Sequence, residues 1–192
     1  MTRPFLMVSA LVLLAACNAP PAAQTSTDER ASPALPPAPP PAPPANDAKA
    51  TDFAPAAAVN DLFEIASGKI ALRRAAKTDV KAFARMMIEA HGRSTTALKA
   101  AIGQSGSTIT LPLALPGDKQ AVLDRLEDAP AADFDRNFMD AQIDGHQSIL
   151  GLMAHYANAG DTPAIKAFAE KTGPEVQKHL ARAKAIRMAL SA

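Results

Sequence analysis

Ile88-Glu89-Ala90-His91 and Ile143-Asp144-Gly145-His146 decide how this chain folds. Each ends an apolar run at helical spacing and sets a histidine on the face that turns inward. Around the first, Val80, Phe83, Met87, His91, Leu98 and Ile102 share one stripe of a helix expected from about Asp79 to Gly103, with Thr78 or Asp79 as its cap. Around the second, Phe134, Phe138, Gln142, His146, Ile149 and Met153 form the stripe of a helix expected from Asp133 to about Asn158, with Gly160 as its stop. Packed side by side, these helices bring two imidazoles together inside a bundle. The weak internal repeat aligned on the two histidines is the pattern of two pseudo-symmetric helical hairpins, as in a ferritin-like arrangement.

Two further long helices and a short one complete the expectation. The first long helix runs from about Ala56 to Ala76, with Leu62, Ile65, Ala66 and Leu72 on one face. Glu64 shares a line with Gly68, Ala71 and Ala75, where small residues invite a close neighbour. Its simplest reading is a border carboxylate paired with lysine or solvent. Gly103 to Gly117 is a crossover loop whose glycines lack phosphate-loop spacing. A short helix follows from Asp118 to Asp128, stopped before Pro130. The last helix opens at Asp161-Thr162-Pro163 and carries Ile165, Phe168, Thr172, Val176, His179, Ala183 and Ile186. Gly173-Pro174 should interrupt and kink it. Glu175 and His179 lie one turn apart. The expected fold is all-α, a ferritin-like four-helix bundle with a crossover connection and one short extra helix.

Composition agrees. Of 192 residues 48% are hydrophobic, but only 4% are aromatic and tryptophan is absent. Alanine, the best helix former, fills the gap and builds a thin core. The formal charge is +1, and Arg3 lies in a segment expected to be removed. A balanced chain has no electrostatic reason to seek nucleic acid. The single cysteine allows no internal disulfide.

Residues 1–16 read as a signal peptide. Arg3 supplies its positive end, and Phe5 to Leu14 is too short to span a bilayer. The ending Leu14-Ala15-Ala16-Cys17 resembles the lipobox of bacterial lipoproteins. That resemblance implies lipidation of Cys17 and anchoring to a membrane, facing the periplasm. Asn18 in the following position implies the outer membrane of a Gram-negative cell. The alternative is an ordinary secretory signal with a chance cysteine. Residues 17–52 then form the lipidated cysteine and a disordered Pro/Ala-rich linker, holding most of the 17 prolines. As a polyproline-II spacer at about 3.1 Å per residue it would reach on the order of 100 Å. A proline-rich ligand for another protein is the other reading. Residues 53–192 are the expected helical domain.

Several runs resemble a known family: Phe63-Glu64-Ile65 with Lys69-Ile70-Ala71-Leu72, Asp79 through Met87, Phe134-Asp135-Arg136, and Ile165 through Ala169 followed by His179-Leu180. In order and spacing they are similar to the ferritin-like domain-of-unknown-function family of bacterial envelope proteins, over about Phe53 to Leu190. The resemblance implies an exported four-helix bundle and no established reaction. It also implies an acid directly before the first histidine, where this chain has Ala90, with Glu89 displaced by one residue.

Glu64, His91, His146, Glu175 and His179 are the candidate metal ligands, one or two from each long helix. Three imidazoles and a carboxylate suit zinc, copper or iron. A ferritin-type di-iron centre needs Glu three residues before His, where this chain has Ile88 and Val176. The competing reading makes each histidine a satisfied polar group, bonded to Glu64, Gln142, Glu175 or water, that sets helix register. His155 should be exposed, and the methionines should be core filler. With Cys17 lipidated no thiol nucleophile remains, and no serine elbow, nucleotide loop or paired-cysteine zinc pattern is present. Arg73-Arg74 and Lys178 to Lys184 read as solvated faces. The first functional reading is a non-enzymatic envelope protein with a structural, interaction or stress role. The second is a metal-binding or redox protein, and it requires the donors to converge to within about 3–5 Å.

Overall fold

The computed structural model describes residues 48–191. Five helices follow in order: α1 Ala50–Arg74, α2 Thr78–Ser105, α3 Gly117–Asp128, α4 Ala131–Ala159 and α5 Pro163–Ala189. No strand occurs among the described residues. Short turns make hairpins of α1 with α2 and of α4 with α5; α2 packs on α5 and α1 on α4. The crossover carries α3, which lies against α1 and α4. This is the all-α, ferritin-like bundle expected from the two histidine stripes. No described helix is long and apolar enough to cross a membrane. The signal peptide, Cys17 and nearly all of the Pro-rich linker lie outside the described residues.

Several local expectations change. Lys77, not Thr78 or Asp79, is the N-cap of α2. Arg74 is half-buried over the Phe134 ring and donates to the Leu126 carbonyl. Three further changes concern α1 and α5. The first helix starts at Ala50, not Ala56, and runs through Pro55. Tertiary contacts hold this extra length. Ala48 donates its N–H to the Ala159 carbonyl at 3.2 Å, and Asp161 donates its N–H back to the Ala48 carbonyl at 3.0 Å. Asp161 Oδ1 accepts from the Ala50 N–H at 3.0 Å, and the Phe53 ring stacks on Tyr156 at 4.1 Å. Pro55 forfeits one helical bond, to the carbonyl of exposed Thr51, which water can satisfy.

The last helix is unbroken through Gly173-Pro174. Pro174 is exposed, as is Glu170, whose carbonyl loses its partner. On the opposite side Phe168, Ala169 and Val176 are buried and hold both halves against the bundle.

The inward face of α1 is not the expected one. Leu62, Ile65, Ala66 and Leu72 are only half-buried, whereas Ala57, Asp61, Glu64, Gly68, Ala71 and Ala75 are buried. Small and polar residues line this side because the neighbouring helices come close. A Cβ at Gly68 would lie 2.9 Å from Ile88 Cγ1 and 3.1 Å from the Ala84 carbonyl oxygen. Gly68→Ala would gain about 1 kcal/mol of helix propensity. Overpacking against a backbone oxygen costs about 1–3 kcal/mol. The expected net result is a melting temperature lower by about 4 °C, read by thermal circular dichroism. A rise would mean that α1 and α2 separate at little cost.

Core packing falls into two apolar clusters. One gathers Phe53, Leu98, Tyr156 and Ile165; the other gathers Phe83, Phe134, Phe138 and Met139. Between them lies a polar layer formed by Asp61, Glu64 and Ser67 of α1, His91 of α2, and Gln142 and His146 of α4, all buried. His179 of α5 completes it at the edge, half-buried.

Candidate metal centre

Three histidines from three helices converge in this layer. Ring centroids are separated by 5.7 Å for His91 and His146, 5.9 Å for His91 and His179, and 5.7 Å for His146 and His179. One ring nitrogen from each lies within 4.8 Å of the others. Tetrahedral ligation at roughly 2 Å sets donors about 3.3 Å apart, so loading would draw the rings inward by a short distance.

Two of the rings are oriented from behind. His91 Nδ1 donates to Asp61 Oδ1 at 2.7 Å. The Thr95 hydroxyl sits 3.0 Å from Asp61 Oδ2 and 3.0 Å from the His91 carbonyl. His146 Nδ1 donates to the Gln142 backbone carbonyl at 2.8 Å. Such bonds select the tautomer whose Nε2 lone pair faces forward. His91 Nε2, His146 Nε2 and His179 Nδ1 are buried and have no hydrogen-bond partner among the described residues. The reading in which every histidine is a satisfied polar group therefore leaves three nitrogens unexplained.

Charge states agree with this division. Burial holds His146 down to about 3, aided by the charge on His91. Burial likewise holds His179 down to about 4. Both are neutral near pH 7, as ligands must be. For His91 burial opposes the charged form, but the Asp61 hydrogen bond and the charges of Glu64 and Asp61 outweigh it and raise the pKa. Protons therefore compete with a metal more strongly at His91 than at the other two rings.

The two candidate glutamates stand apart from the converging nitrogens. Glu64 is no border residue: it is fully buried. Its Oε1 lies 3.6 Å from His146 Nδ1, behind that ring, and neither oxygen is hydrogen-bonded among the described residues. Burial pushes its carboxyl from 4.5 up to about 7. Gly145 makes room for it, because a Cβ there would lie 3.0 Å from Oε1. Glu175 is exposed and accepts from Lys178 Nζ at 2.8 Å. Although it precedes His179 by one turn, His179 is itself at the bundle's edge, so the earlier turn falls on the solvent side. His155 is exposed, as expected, and Met87, Met139 and Met153 belong to the apolar clusters.

Asp61 is the residue that sequence reasoning missed. The signal was available, however, in the line of Glu64, Gly68, Ala71 and Ala75. Carried back toward the helix start, that line passes through Asp61 and Ala57.

A family model described as a domain of unknown function, DUF4142, matches residues 35–186. The crystal structure of a DUF305 fragment from Deinococcus radiodurans is similar in fold, with a TM-score of 0.62 and 14% sequence identity, over 71% of this chain and 93% of that one. No curated protein matches the chain.

Proposed function

Since the chain belongs to the DUF4142 family, whose description specifies no activity, we propose from its own residues that it binds one transition-metal ion, zinc, copper or iron, through His91, His146 and His179. One observation carries the reading. One ring nitrogen from each of three histidines lies within 4.8 Å of the others, and each ring holds a buried nitrogen with no hydrogen-bond partner among the described residues, while the Nδ1 atoms of His91 and His146 are anchored. Unsatisfied buried acceptors cost about 1–3 kcal/mol each, and a metal ion removes that cost for all three. Neutral imidazole suits all three metals. The anchored rings match the outer-shell bonding usual for metal-bound histidine.

The proposed setting is the bacterial cell envelope. Its support is the Leu14-Ala15-Ala16-Cys17 ending and the Pro-rich stretch after it. The domain would be held by lipidated Cys17 and face the periplasm. In this reading the protein binds, buffers or delivers metal and needs no catalytic step.

The test is elemental analysis of the purified tag-free protein, followed by titration of stripped protein with zinc, copper and iron(II). Close to one ion per chain is expected. At a free metal concentration 100 times Kd, the gain in unfolding free energy should be about 2.7 kcal/mol. Protein that is folded, empty and unresponsive to all three metals would leave the register-fixing role alone.

A further inference from the structure

A groove of about 580 Å³ runs between α2 and α5 and ends on the His91 and His179 rings. Burial grades across the centre toward it. His146 is 0% exposed and His91 4%, whereas His179 is half-buried. The three nitrogens belong to α2, α4 and α5; α1 sends none, since Asp61 is bonded behind His91 and Glu64 lies behind His146. Three ligands leave at least one position of a tetrahedral ion vacant. The side on which these rings meet solvent is the groove.

The groove has a charge preference and a size limit. Arg93 on α2 and Lys171 on α5 line it, and neither forms an ion pair among the described residues. Its one acid, Glu175, is bonded to Lys178. Elsewhere the walls are largely small, with Ala97, Ala101, Ala164 and Ala167. Small side chains leave space for a slender ligand, and unpaired cations favour a negative one.

We infer that this groove admits a small anion, such as a halide, pseudohalide or short carboxylate, to the open position of the three-histidine centre. The inference rests on the metal-binding reading and adds to it. A structural ion would be closed off by a fourth protein ligand; this centre is an open one that exchanges an external ligand. Arg93 and Lys171 draw the anion in, and the alanine walls limit its width.

The experiment uses the full protein loaded with cobalt(II) or copper(II) and titrated with azide, followed by visible absorption. A saturable change in the metal's bands is expected. Arg93→Ala and Lys171→Ala should each weaken azide binding by about threefold and leave metal stoichiometry unchanged. Ala97→Leu, which narrows the groove, should weaken it further with the metal still bound. If the protein loads one ion per chain but azide leaves the spectrum unchanged, the open position is refuted and the metal site stands. If azide binds equally well to all three variants, the groove is not its route. If no metal loads into folded protein, both readings fail together. The charge variants lie on the surface, so the test survives even if Ala97→Leu does not fold.

Discussion

Replacing His146 with alanine should weaken zinc or copper binding by on the order of 100- to 1,000-fold. This ring is fully buried, its Nδ1 is fixed at 2.8 Å by the Gln142 carbonyl, and its Nε2 has no partner among the described residues. The loss therefore reflects a preoriented donor and not a surface charge. His146→Gln, closer in size, should lose nearly as much affinity and separates ligation from cavity formation. His155→Ala, at an exposed position away from the centre, should leave affinity unchanged. Asp61→Asn should cost less, about tenfold, because it loosens the support of His91 without removing a ligand. Competition against a chromophoric chelator measures all four, with circular dichroism confirming the fold. Unchanged affinity in both His146 variants would remove this residue from the metal site.

The second large effect concerns the metal-free protein. Between pH 4.5 and pH 7, the stability of Glu64→Gln relative to wild type should rise by about 3 kcal/mol. Burial, opposed chiefly by the charge on His91, raises Glu64 from 4.5 in the unfolded chain to about 7 in the fold. A raised carboxyl favours folding most when it is protonated. Its contribution is complete below pH 4.5 and is lost as pH rises through about 7, where a charge must sit in the core with no hydrogen bond from the described residues. The amide cannot ionise, so the variant escapes this loss. His146 and His179 titrate in the opposite sense. Lowered from 6.5 to about 3 and about 4, they contribute stability above pH 6.5 that is lost as pH falls. Both chains share those terms, so the difference between them reports Glu64 together with its charge coupling to His91. Urea denaturation across the range measures it. A constant difference would place the Glu64 charge in contact with water or a partner.

How far the centre could be read in advance depended on the helix. In α2 and α4 the histidines interrupt runs of large apolar residues, and every residue of those two stripes is buried. Periodicity alone therefore oriented His91 and His146 correctly. In α5 the same reasoning placed His179 but brought Glu175 along with it, since spacing cannot say where an edge helix turns to solvent. In α1 it chose the wrong face. The true inward side carries Asp61, Glu64, Ser67 and Gly68, which on hydropathy alone look like surface. They are inside because α2 and α4 pack closely enough to exclude water.

By itself, the order of residues determined the class of fold, the number of long helices, the crossover and the two histidine stripes. These depend on local propensity and on apolar residues recurring once per turn, properties that each segment carries alone. Tertiary structure decided the rest. It extended α1 through Pro55, buried Glu64, left Glu175 in solvent, set Asp61 behind His91 and brought three imidazoles to one centre. Each of those outcomes depends on what a neighbouring helix offers across a few ångströms, and no single segment contains that distance.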